Sequence, residues 1–396
     1  MINNKRMKRK SLFFVFFIVL GCSVIAQSIS IKGTVVDAVD GEPLSYCNCF
    51  LKSSNVGTAT GLDGRFDIKT RPDNLPDSLT IQYIGYESRI LAVSKKGKNF
   101  GKIAITPRNT ELKDVVVKSK PRNWNKTLKG VFDSCIYKTY PTPCVSTVYY
   151  KESAGFEGKK MDKTEVAVNV LFPKKNSRSM KRDWMLFGNC GTADESYFVT
   201  GLRKYEQGKL VLHPEETPNY YGIFDCNSLT QLLNNNVYFY RNVYFEKMAA
   251  KAMFRLVKID TIDGNTVYTI EGQFNEKDKS TTELSISFDE THKTIYNYYL
   301  KNTTATKNGG QVTYSETYNY RVTNGLAIPL YFRFQTTEQD SKNAKVFTIC
   351  NEALFSETCL PNEKESLGKE SNTKNSFEFQ GITYDKEFWD NYTIVE

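Results

Sequence analysis

The sequence predicts a mostly β protein, in which an N-terminal β-sandwich is followed by a larger α+β domain with a curved antiparallel sheet. The chain of 396 residues is long enough for two or three domains. It contains 24 tyrosines and 25 phenylalanines, many of them beside Val, Ile and Thr, which favours strands. Turn dipeptides such as Asp40-Gly41 and Asp63-Gly64 separate short alternating segments.

Residues 1–26 have the organisation of a secretory signal peptide. Five basic residues occur among the first ten positions, and the apolar run SLFFVFFIVLGCSVIA follows them. We expect cleavage after Ala26, which fits the preference for a small residue at that site. The alternative is cleavage before Cys22 in VLGC, which resembles a lipobox and would leave a lipid anchor on Cys22. Either product is exported, and no second long apolar run predicts a membrane span in the mature chain.

Charge and histidine content argue against several classes of function. The formal net charge is +9, and it is +4 without the five leader charges. The remaining charge is spread along the chain, so nucleic acid is not an expected partner. The two histidines are His213 and His292. His213 begins an H-x-x-E pattern with Glu216, but a catalytic zinc needs three protein ligands and the pattern lies in a proline-bounded turn. We expect no metal and no cofactor.

Residues 28–118 are predicted to form the sandwich. Short strands alternate with turns and have no helical period, which is typical of an antiparallel β-sandwich. Four motifs occur in order: GTVVDAVDGEPL, VGTATGLDGRFDI, LTIQYIGY and LKDVVV. They resemble the carboxypeptidase regulatory-like domain of Bacteroidetes envelope proteins, which is common in front of TonB-dependent receptors and other exported proteins. The resemblance implies a prealbumin-like β-sandwich, a location in the periplasm or at the outer membrane, and an accessory role without chemistry.

The stretch NVGTATGLDGRFDI, from Asn55 to Ile68, is a candidate ion or phosphate loop. It lacks the repeated acidic ligands of a calcium loop and the Gly-Lys-Ser/Thr of a phosphate loop. Asp63-Gly64 supplies a turn with φ > 0, and Phe66 and Ile68 alternate as core residues. We therefore predict a hairpin at this position.

Eight of the nine cysteines follow the leader and enter an oxidising compartment. Cys47 and Cys49 share one face of a strand. Such a pair can bind a soft metal, but the resemblance implies buried thiols that act as small apolar residues. Two disulfides are predicted because each closes a short loop across a reversal of the chain. They join Cys135 with Cys144 and Cys350 with Cys359.

The rest of the chain is divided into a linker at 119–126 and a β-rich domain at 127–396. The segment KTLKGVFDSCIYKTY has apolar residues at helical spacing. Between about 253 and 352, strand-like segments and turns predict an antiparallel meander of about seven strands, which must twist and curl. In strand order and turn spacing this part resembles the half-barrel of bacterial outer-membrane lipoprotein carriers and sensor domains. The whole arrangement is also similar to uncharacterised Bacteroidetes envelope proteins.

Four tyrosines of the meander are predicted to line a ligand site on its concave face: Tyr296, Tyr298, Tyr314 and Tyr318. By strand alternation Tyr296 and Tyr298 share one face. Flat rings with a hydroxyl at the edge suit an acyl chain, a peptide or a sugar. Cross-strand packing in a core is the alternative explanation for all four residues.

We expect a non-catalytic binding or structural protein of the cell envelope, with the regulatory-like domain as an accessory module. Its partner would be an envelope protein, a glycan or a lipid. The first alternative is a ligand or lipid carrier that uses the concave sheet. The second is a hydrolase of peptides or glycans, for which acidic pairs such as Asp289-Glu290 are candidates. These pairs lie in predicted turns, where solvated charge is the ordinary explanation.

Overall fold

The structure, a computed structural model, describes residues 29–54, 56–61, 63–108, 123–135, 144–156, 159–172, 196–211, 252–275, 280–323, 326–339, 345–359, 384–386 and 389. The predicted leader and His213 lie outside the described residues. The described part forms a small β-sandwich and a larger domain in which a helix packs on an eleven-stranded sheet.

The first domain is built from two small sheets. Its strands are β1 (Ile29–Asp37), β2 (Asn48–Leu51), β3 (Gly57–Ala59), β4 (Arg65–Thr70), β5 (Asp77–Gln82), β6 (Arg89–Val93) and β7 (Lys98–Ile105). One sheet has the order β4-β1-β7 and the other the order β3-β2-β5-β6. Cys47 and Cys49 are buried as free thiols in the core between the sheets, and burial raises the pKa of Cys49. The predicted sandwich and its buried thiols are confirmed.

The turn at Asp63-Gly64 connects the two sheets. Gly64 has a φ of +75°, and a Cβ atom there would lie 2.5 Å from the backbone oxygen of Val35, so glycine is required. Asp63 Oδ1 accepts a hydrogen bond from the backbone N–H of Arg65 at 3.0 Å. The turn is as predicted, but the hairpin is wrong, because β3 pairs with β2 while β4 pairs with β1. Local sequence specifies a turn and leaves the choice of pairing partner to packing.

The larger domain contains helix α1 (Trp124–Cys135) and the strands β8 (Cys144–Phe156), β9 (Lys159–Phe172), β10 (Ser196–Glu206), β11 (Lys209–Val211), β12 (Met253–Ile262), β13 (Asn265–Asn275), β14 (Thr281–Asp289), β15 (Thr294–Ala305), β16 (Gln311–Thr323), β17 (Leu326–Gln339) and β18 (Val346–Cys359). Strands β12 to β18 follow one another as an antiparallel meander. Strand β18 then pairs with β8, so that β8 to β11 extend the same sheet. The curved antiparallel sheet is confirmed.

Helix α1 covers one face of this sheet, which we call the helix face. Leu128 and Val131 are spaced at helical intervals and are buried against the strands. The Trp124 ring lies 5.8 Å from the Tyr268 ring and 6.4 Å from the Phe288 ring, between centroids. Burial of each Leu or Val side chain stabilises the fold by about 1.5–3 kcal/mol. In the described part of the chain, no helix combines the length and apolar content needed to cross a lipid bilayer.

The opposite face of the sheet, which we call the outer face, carries Tyr296, which strand alternation predicts to lie on the same face as Tyr298. The register between β14 and β15 shifts after Ser287, and such a bulge interrupts strand alternation. Tyr298 therefore lies in the core on the helix face, whereas Tyr296 packs with Val267 on the outer face. The prediction that Tyr296 and Tyr298 share a face is wrong, because the pattern of alternating residues does not reveal a bulge.

One of the two predicted disulfides is excluded by strand geometry. Cys350 is a free, buried cysteine, and it lies on the same strand as Cys359. Nine residues of extended chain separate their Cα atoms by roughly 30 Å, whereas a disulfide needs less than about 7 Å. The side chains of Cys135 and Cys144 lie outside the described part, so that pair stays a prediction.

Tyr384 and Trp389, near the C-terminus, pack on the outer face of β8 to β10. Trp389 is buried beside Tyr149 and Ala167. Its Nε1 donates to the backbone oxygen of Leu202 at 3.2 Å, and the Arg203 guanidinium lies 4.6 Å from the centre of its ring. Trp389 is distant from the first domain in sequence, but both contact the outer face of the sheet.

Candidate functional site

The first domain packs directly on the outer face of the large sheet. Ala59 of β3 is buried together with Leu330 and Tyr331 of β17. The rings of Tyr46 and Tyr331 are stacked, with centroids 4.0 Å apart and planes inclined by 22°. The Tyr331 hydroxyl donates to Glu352 Oε1 at 2.6 Å and lies 3.0 Å from the Tyr46 hydroxyl. Burial raises the pKa of Tyr331, so its hydroxyl remains a donor.

Further contacts extend this interface toward β12 and β16. Gln82 Nε2 donates to Asp263 Oδ1 at 2.8 Å. The Arg321 guanidinium lies 5.0 Å from the centre of the Phe50 ring, a cation–π contact between the domains. Gly57 permits this approach, because a Cβ atom there would lie 2.6 Å from an Arg321 nitrogen. Burial lowers the pKa of Arg321 to about 10, so the side chain stays charged at neutral pH.

The interface encloses a cleft of about 280 Å³ between the two domains. Its floor is the outer face of β13 to β16. A row of cross-strand partners crosses the floor in register, and it consists of Thr269, Ser287, Asn297 and Asn319. The roof is the first domain, which contributes Tyr46, Asn48, Gln82 and Tyr83. Both domains are therefore needed to form the cleft.

The floor side chains bond to one another in pairs. The hydroxyls of Thr269 and Ser287 are 2.9 Å apart, and Asn297 Nδ2 donates to Asn319 Oδ1. A hydroxyl has one donor and two acceptor positions, and an amide side chain has two donors and an acceptor oxygen. One bond within a pair does not exhaust this capacity. The row therefore presents uncharged donors and acceptors to the cleft.

Asn48 is a buried polar residue in the roof, with 9% of its surface exposed. None of the described residues donates a hydrogen bond to its Oδ1 atom. A buried acceptor without a partner costs about 1–3 kcal/mol. A hydrogen-bond donor on a bound molecule that reaches this atom would remove that cost.

The described lining of the cleft suits binding better than catalysis. It includes no carboxylate, histidine or cysteine. Tyr296 lines the cleft, and burial raises its pKa to about 12, which keeps the phenol neutral at pH 7. General acid–base catalysis works best with a group whose pKa is near the working pH. Neither Tyr296 nor Arg321 meets that condition.

The four tyrosines predicted to line a ligand site are divided between the two faces. Tyr296 lines the cleft. Tyr298, Tyr314 and Tyr318 belong to the helix face, where the rings of Tyr298 and Tyr318 are 5.9 Å apart and Tyr318 is fully buried. The Tyr314 hydroxyl donates to Glu316, and burial raises the pKa of that carboxyl group. The structure does not bring the four tyrosines together, and their role as a ligand lining stays a prediction.

The other residues of the cleft are not among those that the sequence predicts. The floor does carry a signal, because hydroxyl or amide residues alternate with apolar or aromatic ones in SIS (285–287), YNY (296–298) and TYN (317–319). The roof carries none. Asn48 and Gln82 belong to the other domain, and packing between domains brings them over the floor.

The acidic pair and histidine considered for catalysis form a turn. Asp289 is fully buried, in contrast to the expected solvated charge. Its Oδ1 accepts backbone hydrogen bonds from Thr291 and His292 at 2.7 and 3.2 Å, and its Oδ2 lies 2.5 Å from His292 Nδ1. Among the described residues, no group of three or more His, Cys, Asp or Glu could hold a metal ion. The H-x-x-E pattern at His213 lies outside them.

Two solved structures align with much of the chain at low identity. A LolA superfamily protein from Nitrosomonas europaea aligns over 60% of this chain and 96% of its own, with 10% identity and a TM-score of 0.19. The Pseudomonas aeruginosa MucA/MucB complex aligns over 58% of this chain and 93% of the matched chain, with 9% identity and a TM-score of 0.20. TM-scores this low do not establish a shared fold.

Two TonB-dependent receptors and one family of domains match part of the chain more specifically. Over 118 residues the chain is 31% identical to the TonB-dependent receptor P3 of Formosa agariphila, which is 29% of this chain and 11% of the receptor. It is also 31% identical over 106 residues to the TonB-dependent receptor SusC of Bacteroides thetaiotaomicron, which is 27% of this chain and 10% of the receptor. The chain thus spans about a tenth of the length of these relatives. Residues 31–117 match the family described as the CarboxypepD_reg-like domain, and the N-terminal part of the chain is therefore such a domain, as its four motifs predict.

Proposed function

We propose that this protein is a non-catalytic binding protein of the cell envelope, in which the cleft between the two domains holds the ligand. The observation that carries the proposal is the cleft of about 280 Å³. Its described lining combines hydroxyl, amide, aromatic and aliphatic side chains with the Arg321 guanidinium, and it contains no carboxylate, histidine or cysteine. Ligand sites are concave and occur preferentially at domain interfaces. In this proposal the CarboxypepD_reg-like domain is an accessory module that supplies the roof of the site.

The envelope location is supported by two observations. The first is the predicted leader at residues 1–26, which directs export. The second is the similarity of part of the chain to parts of two TonB-dependent receptors. We assign the protein to the periplasm or to the outer membrane on these grounds, with an envelope protein, a glycan or a lipid as the class of partner.

Filling the cleft tests the binding function. Thr317 lines the floor of the cleft, and Thr317→Trp should occupy the space of a ligand. A library of small sugars, short peptides and fatty acids is screened by thermal unfolding. A ligand at a hundredfold excess over its Kd should stabilise the wild-type protein by about 2.7 kcal/mol, and Thr317→Trp should abolish this effect.

The matched control is Thr313→Trp. Thr313 lies on the same strand and the same face as Thr317, four residues away and outside the cleft lining. This variant should keep the stabilisation by the ligand. A library without any stabilising compound would contradict the proposal. So would release of products from peptide or glycan substrates by the purified protein.

A lipid carrier that uses the helix face is the second candidate. The observation that favours it is the aromatic cluster of Tyr298, Tyr314 and Tyr318 beside Phe332 and Phe334, in which Tyr314 and Phe334 remain partly exposed. Binding of a fluorescent fatty acid distinguishes the two candidates. Loss of that binding in Tyr314→Ala, together with normal binding in Thr317→Trp, would favour the carrier over the cleft.

A further inference from the structure

We propose that the cleft between the domains binds a neutral saccharide of one or two sugar rings, an inference that rests on the proposed binding function. The cleft volume of about 280 Å³ is close to the lower end of the range for small-molecule sites, roughly 300–1,000 Å³. A ligand of that size can touch the floor and the roof at the same time. The chemistry of each surface then decides the class of ligand.

The floor favours a ligand rich in hydroxyl groups. The row of Thr269, Ser287, Asn297 and Asn319 offers uncharged groups that both donate and accept hydrogen bonds. Each hydroxyl of a sugar also donates and accepts, so it can match either role. An acyl chain on this floor would cover polar atoms without replacing their hydrogen bonds, which is unfavourable.

The roof supplies an acceptor and an aromatic surface. Asn48 lines the roof, and its buried Oδ1 atom accepts no hydrogen bond from the described residues. A sugar hydroxyl is a suitable donor to this atom. Tyr83 lines the same roof and is partly buried. A tyrosine ring provides flat apolar contact, which matches the C–H face of a sugar ring.

The geometry disfavours an extended peptide. Peptides commonly bind to a sheet by adding a strand at its edge, where backbone groups are unpaired. The floor of this cleft is the face of the sheet, and the backbone groups of β13 to β16 already bond within the ladder. A peptide backbone would therefore have only side chains as partners in the cleft.

Binding measurements on the purified protein test the proposal. An array of neutral and acidic glycans is screened first, and maltose, cellobiose, diacetylchitobiose, digalacturonate and dialanine are then titrated by calorimetry. We expect binding of a neutral saccharide. Asn48→Ala should raise its Kd at least tenfold, and Asn297→Ala should raise it as well, which provides a second variant if Asn48→Ala does not fold.

The matched control is Asn351→Ala. Asn351 is also 9% exposed with an unpartnered Oδ1, but it pairs with Phe334 on the helix face. This variant should bind the saccharide with an unchanged Kd. Weakening by Asn351→Ala equal to that by Asn48→Ala would overturn the assignment to the cleft.

The other possible results distinguish failure of the saccharide proposal from failure of the proposed binding function. Binding of digalacturonate or dialanine alone, weakened by Asn48→Ala, would overturn the neutral saccharide and leave the binding function intact. Absence of binding to every neutral glycan on the array would also overturn the saccharide. Cleavage of any saccharide by the wild-type protein would overturn the non-catalytic function itself.

Discussion

Glu165 of β9 is a carboxylate whose side chain is fully buried on the outer face of the sheet. Arg203 Nε lies 2.7 Å and Lys163 Nζ 3.2 Å from its Oε2 atom, and the Tyr149 hydroxyl donates to its Oε1 atom at 2.6 Å. Burial acts to raise the pKa of Glu165, but the hydrogen bonds from Arg203 and Tyr149 and the charge of Lys163 lower it below the usual value. The native state therefore stabilises the ionised form.

Replacement of this carboxylate should have a pH-dependent effect. Glu165→Gln should lower the free energy of unfolding near pH 7 by about 1.5–3 kcal/mol, the range for hydrogen bonds to charged groups. Because the folded-state pKa of Glu165 is depressed, its contribution is present above the unfolded-state pKa and is lost as the pH falls through the folded-state pKa. Urea unfolding near pH 7 and near pH 3 should give a smaller difference between variant and wild type in acid.

Glu206→Gln is the control for this prediction. Glu206 forms an ion pair with Lys204 at 2.8 Å on the same sheet, but its side chain is 48% exposed. Exposed pairs contribute about 0–1 kcal/mol, so the change in stability should be small. A loss for Glu165→Gln that is the same at both pH values would contradict the assignment of its stabilisation to charge.

At the scale of elements, two glycines with open space around them should respond to alanine in opposite directions. A Cβ atom added to Gly264, in the turn between β12 and β13, or to Gly130 in α1 would meet no described atom within 4 Å apart from its chain neighbours and, in α1, the backbone of the helix itself. Gly264 has a φ of +80°, so Gly264→Ala should destabilise by about 1–2 kcal/mol. Gly130→Ala should stabilise by about 0.5–1 kcal/mol, because glycine is unfavourable within a helix. Urea unfolding measures both, and effects of the same sign would contradict the assigned conformations.

The sequence predicts elements well where the determining interactions are local. Asp263-Gly264 forms a turn with φ > 0 at both residues, and a two-residue turn of this kind specifies the hairpin of β12 and β13. The pairing of β18 with β8 is not local, since it joins distant parts of the chain. The bulge after Ser287 and the exchange of sheets at Gly64 also depend on packing. For the same reason the polar floor of the cleft leaves a trace in the sequence, while the position of Asn48 above it does not.

At the scale of the whole molecule, the predicted leader determines where the protein acts. We expect the mature chain to begin at Gln27, after cleavage behind Ala26, because a small residue precedes the cut. Mass spectrometry of the protein isolated from its native envelope measures the mature N-terminus. An acylated Cys22 would replace this prediction with a lipid-anchored form. A chain that retains residues 1–26 would contradict export through a cleaved leader.

The first domain is more closely integrated than an accessory module on a loose connection would be. It covers part of the outer face through apolar packing at Ala59, the stacked rings of Tyr46 and Tyr331, and the contact of Arg321 with Phe50. Aromatic pairs of this kind contribute about 0.5–1.5 kcal/mol beyond their burial. Such coupling predicts that the two domains unfold together.

Removal of the Tyr331 ring should allow the two domains to unfold in separate transitions. Tyr331→Ala deletes the stack on Tyr46 and the hydrogen bond to Glu352, and truncation of a buried aromatic residue costs about 3–5 kcal/mol. Differential scanning calorimetry of the wild-type protein should give one cooperative transition, with equal calorimetric and van't Hoff enthalpies. The variant should give two transitions.

Phe355→Ala is the control, because Phe355 is buried on the helix face of the same sheet. Its loss should lower the temperature of a single transition without dividing that transition in two. One undivided transition for Tyr331→Ala would mean that other contacts couple the domains, and two transitions in the wild-type protein would mean that they are not coupled at all.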